Sequence, residues 1–340
     1  GTVLFPAGDY LTTTLHFRSQ VTLHVTRDAI IRSTPDGFDH PEPNYPNNLY
    51  QDFGHSHFRN SLFYARGVEN VGVTGPGGIE CTSLQSGNIV PPGVGDKGFT
   101  FVECRNVEFS GFRMNGGGHF GFLIKDCENV VMRDLFIDAE RDGMNIIDCR
   151  GVLIERTYME AVDDTFCFKS DHSTGAVLVC EDVIVRESVA NCIGCHGIKM
   201  GTETMGVFRN FLFENIHIAA GHQSGITIQG QDGAVFEDIT YRNIKITTAA
   251  VPVYFVIGDR LLAPGNPRPG PIRDVRFENI QARFLHGSGF PMILRGHPEA
   301  PIENVIFEGL DFRLVGGGQL KHIAQSGDDA RVGFTYHRFD

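Results

Sequence analysis

The sequence predicts an all-β chain folded as a single-domain, right-handed parallel β-helix, a solenoid of about ten coils. Three observations carry that prediction. Segments repeat in register: Gly121-Phe-Leu-Ile-Lys-Asp-Cys127 matches Gly143-Met-Asn-Ile-Ile-Asp-Cys149 position by position. A short phrase centred on Asn, Asp or Gly recurs as Cys104-Arg-Asn-Val107, Cys127-Glu-Asn-Val130, Cys149-Arg-Gly-Val152 and Cys180-Glu-Asp-Val183. Helical periodicity is almost missing, while apolar and polar residues alternate inside each copy.

Each copy is read as one strand with a buried face. Later copies are Phe208-Arg-Asn-Phe-Leu-Phe-Glu-Asn-Ile216, Phe236-Glu-Asp-Ile-Thr-Tyr-Arg-Asn-Ile244, Ile272-Arg-Asp-Val-Arg-Phe-Glu-Asn-Ile280 and Ile302-Glu-Asn-Val-Ile-Phe-Glu-Gly-Leu310, with spacings from 22 to 36 residues along the series. Gly, Asn or Asp bounds each of them. One coil cannot bury its inner face, but stacked coils share a continuous core. A β-propeller blade would need about 40 residues and antiparallel hairpins, which this spacing does not favour. Ser33 to Asn60, Leu84 to Lys97 and Leu262 to Pro271 break the rhythm with Pro and Gly and read as loops projecting from the coils. No domain boundary is visible, so residues 1–340 read as one unit.

Composition narrows the function. The chain has 340 residues, with 41 Gly, 27 Phe, no Trp and a net charge of -12. That balance argues against a nucleic-acid partner, which needs a basic footprint. It also disfavours a polyanionic glycan unless local cations overcome the field. No apolar run approaches the ~18 residues of a spanning helix, so no membrane partner is expected. The chain opens on Gly1-Thr-Val-Leu-Phe-Pro without a signal-peptide pattern and reads as a mature or trimmed fragment. Of the eight cysteines, Cys104, Cys127 and Cys149 recur at spacings of 23 and 22. They are expected to form a buried ladder of free thiols. Cys167 and Cys192 are the better disulfide candidates. Cys192-Ile-Gly-Cys195 stands alone, without the second pair a zinc site requires.

The register also aligns chemistry. Thr165-Phe-Cys-Phe-Lys169 and Gly197-Ile-Lys-Met-Gly201 fall in the same frame as the two matching segments. The residue before each frame reads Phe120, Asp142, Asp164, His196, and Asp163 adjoins Asp164. Parallel strands stack about 4.8 Å apart, so these groups are expected along one edge of successive coils. Met144, Ile146, Phe166, Phe168, Ile198, Met200, Ile226 and Ile228 are expected to point inward. Asn145, Cys167, Lys169, Lys199, Thr227 and Gln229 are expected to point outward, placing two lysines on a solvent face beside the acids. Clustered carboxylates repel, and at least one should hold its proton above the ordinary range. A protonated acid and an ionised neighbour are the pair that glycoside hydrolysis uses. A calcium site is the alternative for clustered Asp oxygens.

At these residues the chain resembles glycoside hydrolase family 28, the polygalacturonase-like β-helices. The family's Asn-Thr-Asp-Gly reads Glu140-Arg141-Asp142-Gly143 here. Its Gly-Asp-Asp reads Val162-Asp163-Asp164, followed by Phe168-Lys169-Ser170. Its Gly-His-Gly reads Cys195-His196-Gly197, followed by Met200-Gly201-Thr202. Gly1-Thr-Val-Leu-Phe-Pro-Ala-Gly-Asp-Tyr10 and Val68-Glu-Asn-Val-Gly-Val-Thr-Gly-Pro-Gly-Gly-Ile79 extend the resemblance over most of the chain. The resemblance implies hydrolysis with inversion; no cofactor and no metal are expected. Asp163 would be the general acid, Asp142 and Asp164 would activate water, and His196 would tune the acid. It also implies export to an extracellular or periplasmic location. Coil spacing alone, by bringing the carboxylates close, favours retention instead.

The departures bear on the substrate. Family polygalacturonases carry Arg-Ile-Lys on the next coil to hold the substrate carboxylate, and this chain has Thr227 and Gln229 at those positions. A bidentate clamp is lost. The expected substrate is therefore a pectic or related glycan other than plain polygalacturonate. Lys199 is either a substitute cation, a solvated lysine or a partner of Glu203. Arg141, Lys169, Glu203, His119 and Phe120 complete the candidate sugar contacts, with Phe120 offering a ring to stack on. Gly201-Thr-Glu-Thr-Met-Gly206 is expected to wall the cleft. His55 and His57 are a loop pair with a weak claim to substrate or metal. A polysaccharide lyase and a non-catalytic glycan-binding protein are the alternative functions on this fold.

Overall fold

The computed structural model describes residues 1–42, 57–86, 95–177, 179–284 and 292–315. Its strands join in one parallel sheet that winds on itself in three stacks, as the alternation requires. One stack runs through Thr22–Val25, Glu69–Thr74, Arg105–Ser110, Glu128–Arg133 and Arg150–Glu155. A second runs through Gly78–Cys81, Arg113–Gly116, Phe136–Ala139 and Tyr158–Ala161. The third carries the site and contains Lys97–Val102, Phe120–Lys125, Asp142–Ile147, Phe166–Ser170 and His196–Thr204. It continues in the last residues of the long strand Val207–Gly230. This is a parallel β-helix. Among the described residues no helix is long and apolar enough to cross a membrane.

The recurring Asn, Asp or Gly has a conformational cause. Asn70, Asn106, Asn129, Asp182 and Asn210 all sit at φ between 55 and 58, the left-handed region, and Gly151 occupies the equivalent turn at φ 68. Asn and Asp tolerate that region better than other residues with a side chain, and Gly has no Cβ to clash. The asparagines also bond along the stack. Asn106 donates to Asn70 at 2.9 Å and Asn129 donates to Asn106 at 3.1 Å. The repeated phrase is therefore a turn requirement and a hydrogen-bond ladder in one.

Aromatic side chains stack from coil to coil as well. Phe63, Phe99 and Phe122 lie nearly parallel, with centroids 4.5 and 4.6 Å apart. Phe213, Tyr241, Phe277 and Phe307 make a second column at 4.9 to 5.0 Å. Cys104, Cys127 and Cys149 are free and buried, as the ladder reading expected, and Cys180 is free and buried as well. The disulfide reading of Cys167 and Cys192 is corrected: both are free thiols. The Cys167 thiol donates to the Gly201 carbonyl at 3.2 Å and that of Cys192 to the Asp163 carbonyl at 2.6 Å, so each serves a different backbone acceptor. Phe99 touches rings on two neighbouring coils and is fully buried. Phe99→Ala is expected to cost about 3–5 kcal/mol, measured by urea unfolding, because the rigid column cannot collapse into the cavity.

The segment Leu262 to Pro271 is irregular, as expected of a projecting loop. Much of the other two expected loops, and His55 with them, lies outside the described residues. His57 is buried, with its Nδ1 2.7 Å from the Glu42 carbonyl.

Candidate active site

Backbone pairing sets the site. Phe120 pairs with Asp142, and Phe166 with Ile198, so Asp164 and His196 hold the same frame position on successive coils. The Gly143 and Thr165 amides continue the ladder by donating to the carbonyls of Asp164 and His196, at 2.8 and 3.1 Å. Pairing then places Ser224 opposite His196, so the line extends one coil further than the sequence reading took it. The signal was present in Ser224-Gly225, which repeats the residue-before-Gly pattern of Asp142-Gly143 and His196-Gly197. Lys97 occupies the position before Phe120 in the same line.

The expected inward residues all lie in the core cluster. The outward set does not face open solvent, which corrects the solvent-face reading. Asn145, Cys167, Lys169, Lys199, Thr227 and Gln229 are all buried. A separate apolar cluster of Phe58, Val102, Phe120, Leu123 and Ile147 lies on this outer side of the sheet. Within it Phe120 is fully buried, and both the Arg141 guanidinium and the Lys169 ammonium lie over its ring, at 5.5 and 5.9 Å. The ring expected to receive a sugar instead holds two cations of the site. His119 is buried edge-on against it, with centroids 4.4 Å apart.

Each carboxylate of the line has a basic partner. Arg141 bridges Asp142 at 3.0 Å and Asp163 at 3.3 Å. Lys199 donates to Asp164 at 2.8 Å. Lys169 lies 3.8 Å from Asp142 and 4.0 Å from Glu203. Lys199 thus pairs with Asp164, while the buried Glu203 meets Lys169. Asn145 donates a further hydrogen bond to Asp142 at 3.1 Å. The carboxylates differ in access: the Asp163 side chain is 25% exposed, against 2% for Asp142 and 3% for Asp164. Asp164 Oδ1 is buried and has no hydrogen-bond partner among the described residues.

Burial pushes the Asp164 carboxyl up to about 6; Lys199 opposes this, and Asp163 and Asp142 add to it. His196 is held well below its ordinary value, first by burial and then by Lys199, so its ring is neutral. Burial lowers the Lys199 ammonium, but Asp164, Cys167 and Asp163 together raise it well above its ordinary value, so it stays charged. Gly201 closes the coil at φ +127, and a Cβ there would come within 2.7 Å of the Gln229 carbonyl oxygen, so only glycine fits this wall.

Asp163, Asp164 and Cys195 converge closely enough to share one cation. Lys199 and Arg141 already sit on the two carboxylates. Burial also raises the Cys195 thiol, and a protonated thiol does not suit a hard cation. The donor set therefore fits an ion-paired carboxylate cluster better than a metal site.

A second buried charge cluster lies on the same stack, and sequence reading missed it. Lys125 is fully buried and meets Asp126 at 2.8 Å, Asp171 at 3.3 Å and Asp148 at shorter range. Burial pushes Asp148 up to about 7, with Lys125 opposing and Asp171 reinforcing. A carboxyl raised in the fold favours folding most below its unfolded value and loses that contribution as pH rises through its folded value. Asp148→Asn should therefore gain stability relative to wild type as pH rises from about 4 to 7. Buried neutral His196 and His57 act in the opposite direction, but their contributions cancel in this difference. Melting temperatures of both proteins across that range check the sign.

Residues 47–326 match the family model described as glycosyl hydrolases family 28. No curated protein sequence matches the chain. An exopolygalacturonase from Thermotoga maritima is similar in fold, with a TM-score of 0.65 and 17% identity, over 91% of this chain and 84% of that one. An endo-xylogalacturonan hydrolase from Aspergillus tubingensis gives a TM-score of 0.68 and 14% identity, over 94% and 86%. A polygalacturonase from Erwinia carotovora gives a TM-score of 0.64 and 15% identity, over 95% and 89%.

Proposed function

The chain belongs to glycosyl hydrolases family 28, and on that premise we propose that it hydrolyses a pectic or related glycan with inversion at the anomeric carbon. Asp163 acts as the general acid, protonating the leaving glycosidic oxygen. Asp164 and Asp142 orient and deprotonate the attacking water, and His196 sets the polarity beside them. The observation that carries the reading is the registered line of Asp142, Asp164 and His196, with the more exposed Asp163 beside it. Access supports the division of labour. An acid must reach the substrate oxygen, whereas a water-activating base works from the floor. The unpartnered Asp164 Oδ1 supports a water-binding role. A carboxyl held near 6 is also a stronger base than an ordinary one once it ionises.

Charge supports a substrate other than plain polygalacturonate. Arg141, Lys169 and Lys199 are engaged with carboxylates of the site itself. Thr227 and Gln229, at the clamp positions, are neutral and buried. The fold neighbours include both a polygalacturonase and a xylogalacturonan hydrolase, which supports the pectic class without choosing within it. The test is a product screen over polygalacturonate, xylogalacturonan, rhamnogalacturonan and neutral pectic glycans. New reducing ends without ultraviolet absorbance are expected from at least one of the last three. An unsaturated, absorbing product would overturn hydrolysis in favour of a lyase, and best activity on polygalacturonate would overturn the specificity.

A further inference from the structure

We propose that Ser224 and Thr227 form a hydroxyl relay that fixes His196 in a single tautomer, with the ring proton on Nε2. This makes both residues positioning groups for the hydrolysis, and to that extent the inference rests on the reading above. Ser224 Oγ lies 2.7 Å from His196 Nδ1, and Thr227 Oγ1 lies 3.3 Å from the same nitrogen. The two hydroxyls are also in direct hydrogen-bond contact with each other. All three side chains are at most 2% exposed, so water cannot readily substitute for any of these bonds. Register builds the cluster: Ser224 pairs with His196, and Thr227 pairs with Lys199 on the same strand.

Proton bookkeeping selects the tautomer. If Thr227 donates to Ser224 and Ser224 donates to Nδ1, both hydroxyl protons are used and the ring proton sits on Nε2, which is not among the buried polar atoms that lack a partner. If the chain runs the other way, Nδ1–H donates to Ser224 and Ser224 to Thr227. The Thr227 proton is then left without an acceptor among the described residues. A buried donor without an acceptor is the costlier arrangement. The neutral state of His196 agrees with this, because a doubly protonated ring would have no acceptor role left at Nδ1.

The same geometry changes the meaning of the clamp position. Thr227 stands where the resembling enzymes carry the first cation of their clamp. Here its hydroxyl turns toward the histidine of the site. The position supports the ring in place of gripping a substrate carboxylate. A positioning role predicts an effect on turnover, whereas a sugar-contacting role predicts an effect on binding.

Nitrogen NMR of the full chain labelled in histidine tests the relay without reference to activity, with the His196 signals assigned by their loss in His196→Asn. The expected result is a protonated Nε2 and an acceptor-type Nδ1 in wild type, retained in Thr227→Val, where Ser224 still donates to Nδ1, and replaced by mixed tautomers in the double variant Ser224→Ala/Thr227→Val, which has no hydroxyl left to donate. In kinetics on the substrate found by the screen, Thr227→Val should lower kcat about tenfold, the scale of one buried hydrogen bond, and change the pH profile. Its KM should move by less than about twofold, and Thr227→Ser should restore most of kcat. A protonated Nδ1 in wild type would overturn the proposal. So would tautomers unchanged in Ser224→Ala/Thr227→Val, or a rise in KM alone in Thr227→Val. If wild type hydrolyses no glycan in the screen, the hydrolase reading fails, while the NMR arm still decides the relay.

Discussion

Asp163→Asn is expected to lower kcat by about 10²- to 10⁴-fold, the range general acid catalysis contributes. The fold should survive, because the Asp163 side chain is partly exposed and the one ion pair it makes among the described residues, to Arg141, spans 3.3 Å. Asp142→Asn and Asp164→Asn should also lower kcat severely. Their cost to stability should be larger, since each removes a charge from a buried pair with Arg141 or Lys199. Circular dichroism and steady-state kinetics on all three variants separate these outcomes. An artificial substrate with a good leaving group sharpens the test, because it should recover much of the Asp163→Asn loss and little of the others. Near-wild-type turnover in all three would sink the assignment.

The second large effect concerns stability. Lys125→Met is expected to destabilise the fold by about 3–5 kcal/mol, the scale seen when one partner of a buried ion pair is removed. Lys125 faces Asp126, Asp148 and Asp171, and without its charge the cluster would hold only acids. Those acids would have to take up protons, so the loss should be smaller at pH 4 than at pH 7. Adding Asp148→Asn to Lys125→Met should recover part of the stability at neutral pH, since it removes the carboxyl already held near 7. Urea unfolding of the single and double variants at both pH values measures this. A pH-independent loss would mean that Lys125 acts through packing of its stem and not through its charge.

The two clusters share an origin. A parallel stack repeats each outward position every coil, so a charge placed on one coil meets its neighbours about 4.8 Å away. Arg141 meets Asp163 at the equivalent position of the next coil, and Lys199 reaches Asp164 from a position opposite Cys167. The same repetition turns Phe63, Phe99 and Phe122 into a column, and Asn70, Asn106 and Asn129 into a ladder.

That repetition is also why much of the fold was legible before any coordinates. A period-two alternation marks the inner face, and an Asn, Asp or Gly that must adopt positive φ marks each turn. Aligning those turns fixes the register, so the line of Asp142, Asp164 and His196 could be read from residue spacing. Ser224 was equally readable and was missed because its coil carries no charged residue to draw attention. The Lys125 cluster was missed because Asp126, Asp148 and Asp171 look like ordinary turn acids in one dimension.

The sequence by itself determined the β-helix and the register that aligns Asp142, Asp164 and His196, because these follow from local periodicity repeated coil by coil. Only the tertiary structure decided which cation meets which carboxylate, that Phe120 is sealed beneath Arg141 and Lys169, and that Thr227 turns to His196. Those outcomes depend on burial and on side-chain reach between coils 22 to 32 residues apart in the chain. Alternation tells a residue which side of the sheet it faces. It does not say whether that side is open to water, and here the buried outer face raises the Asp164 carboxyl and keeps His196 neutral.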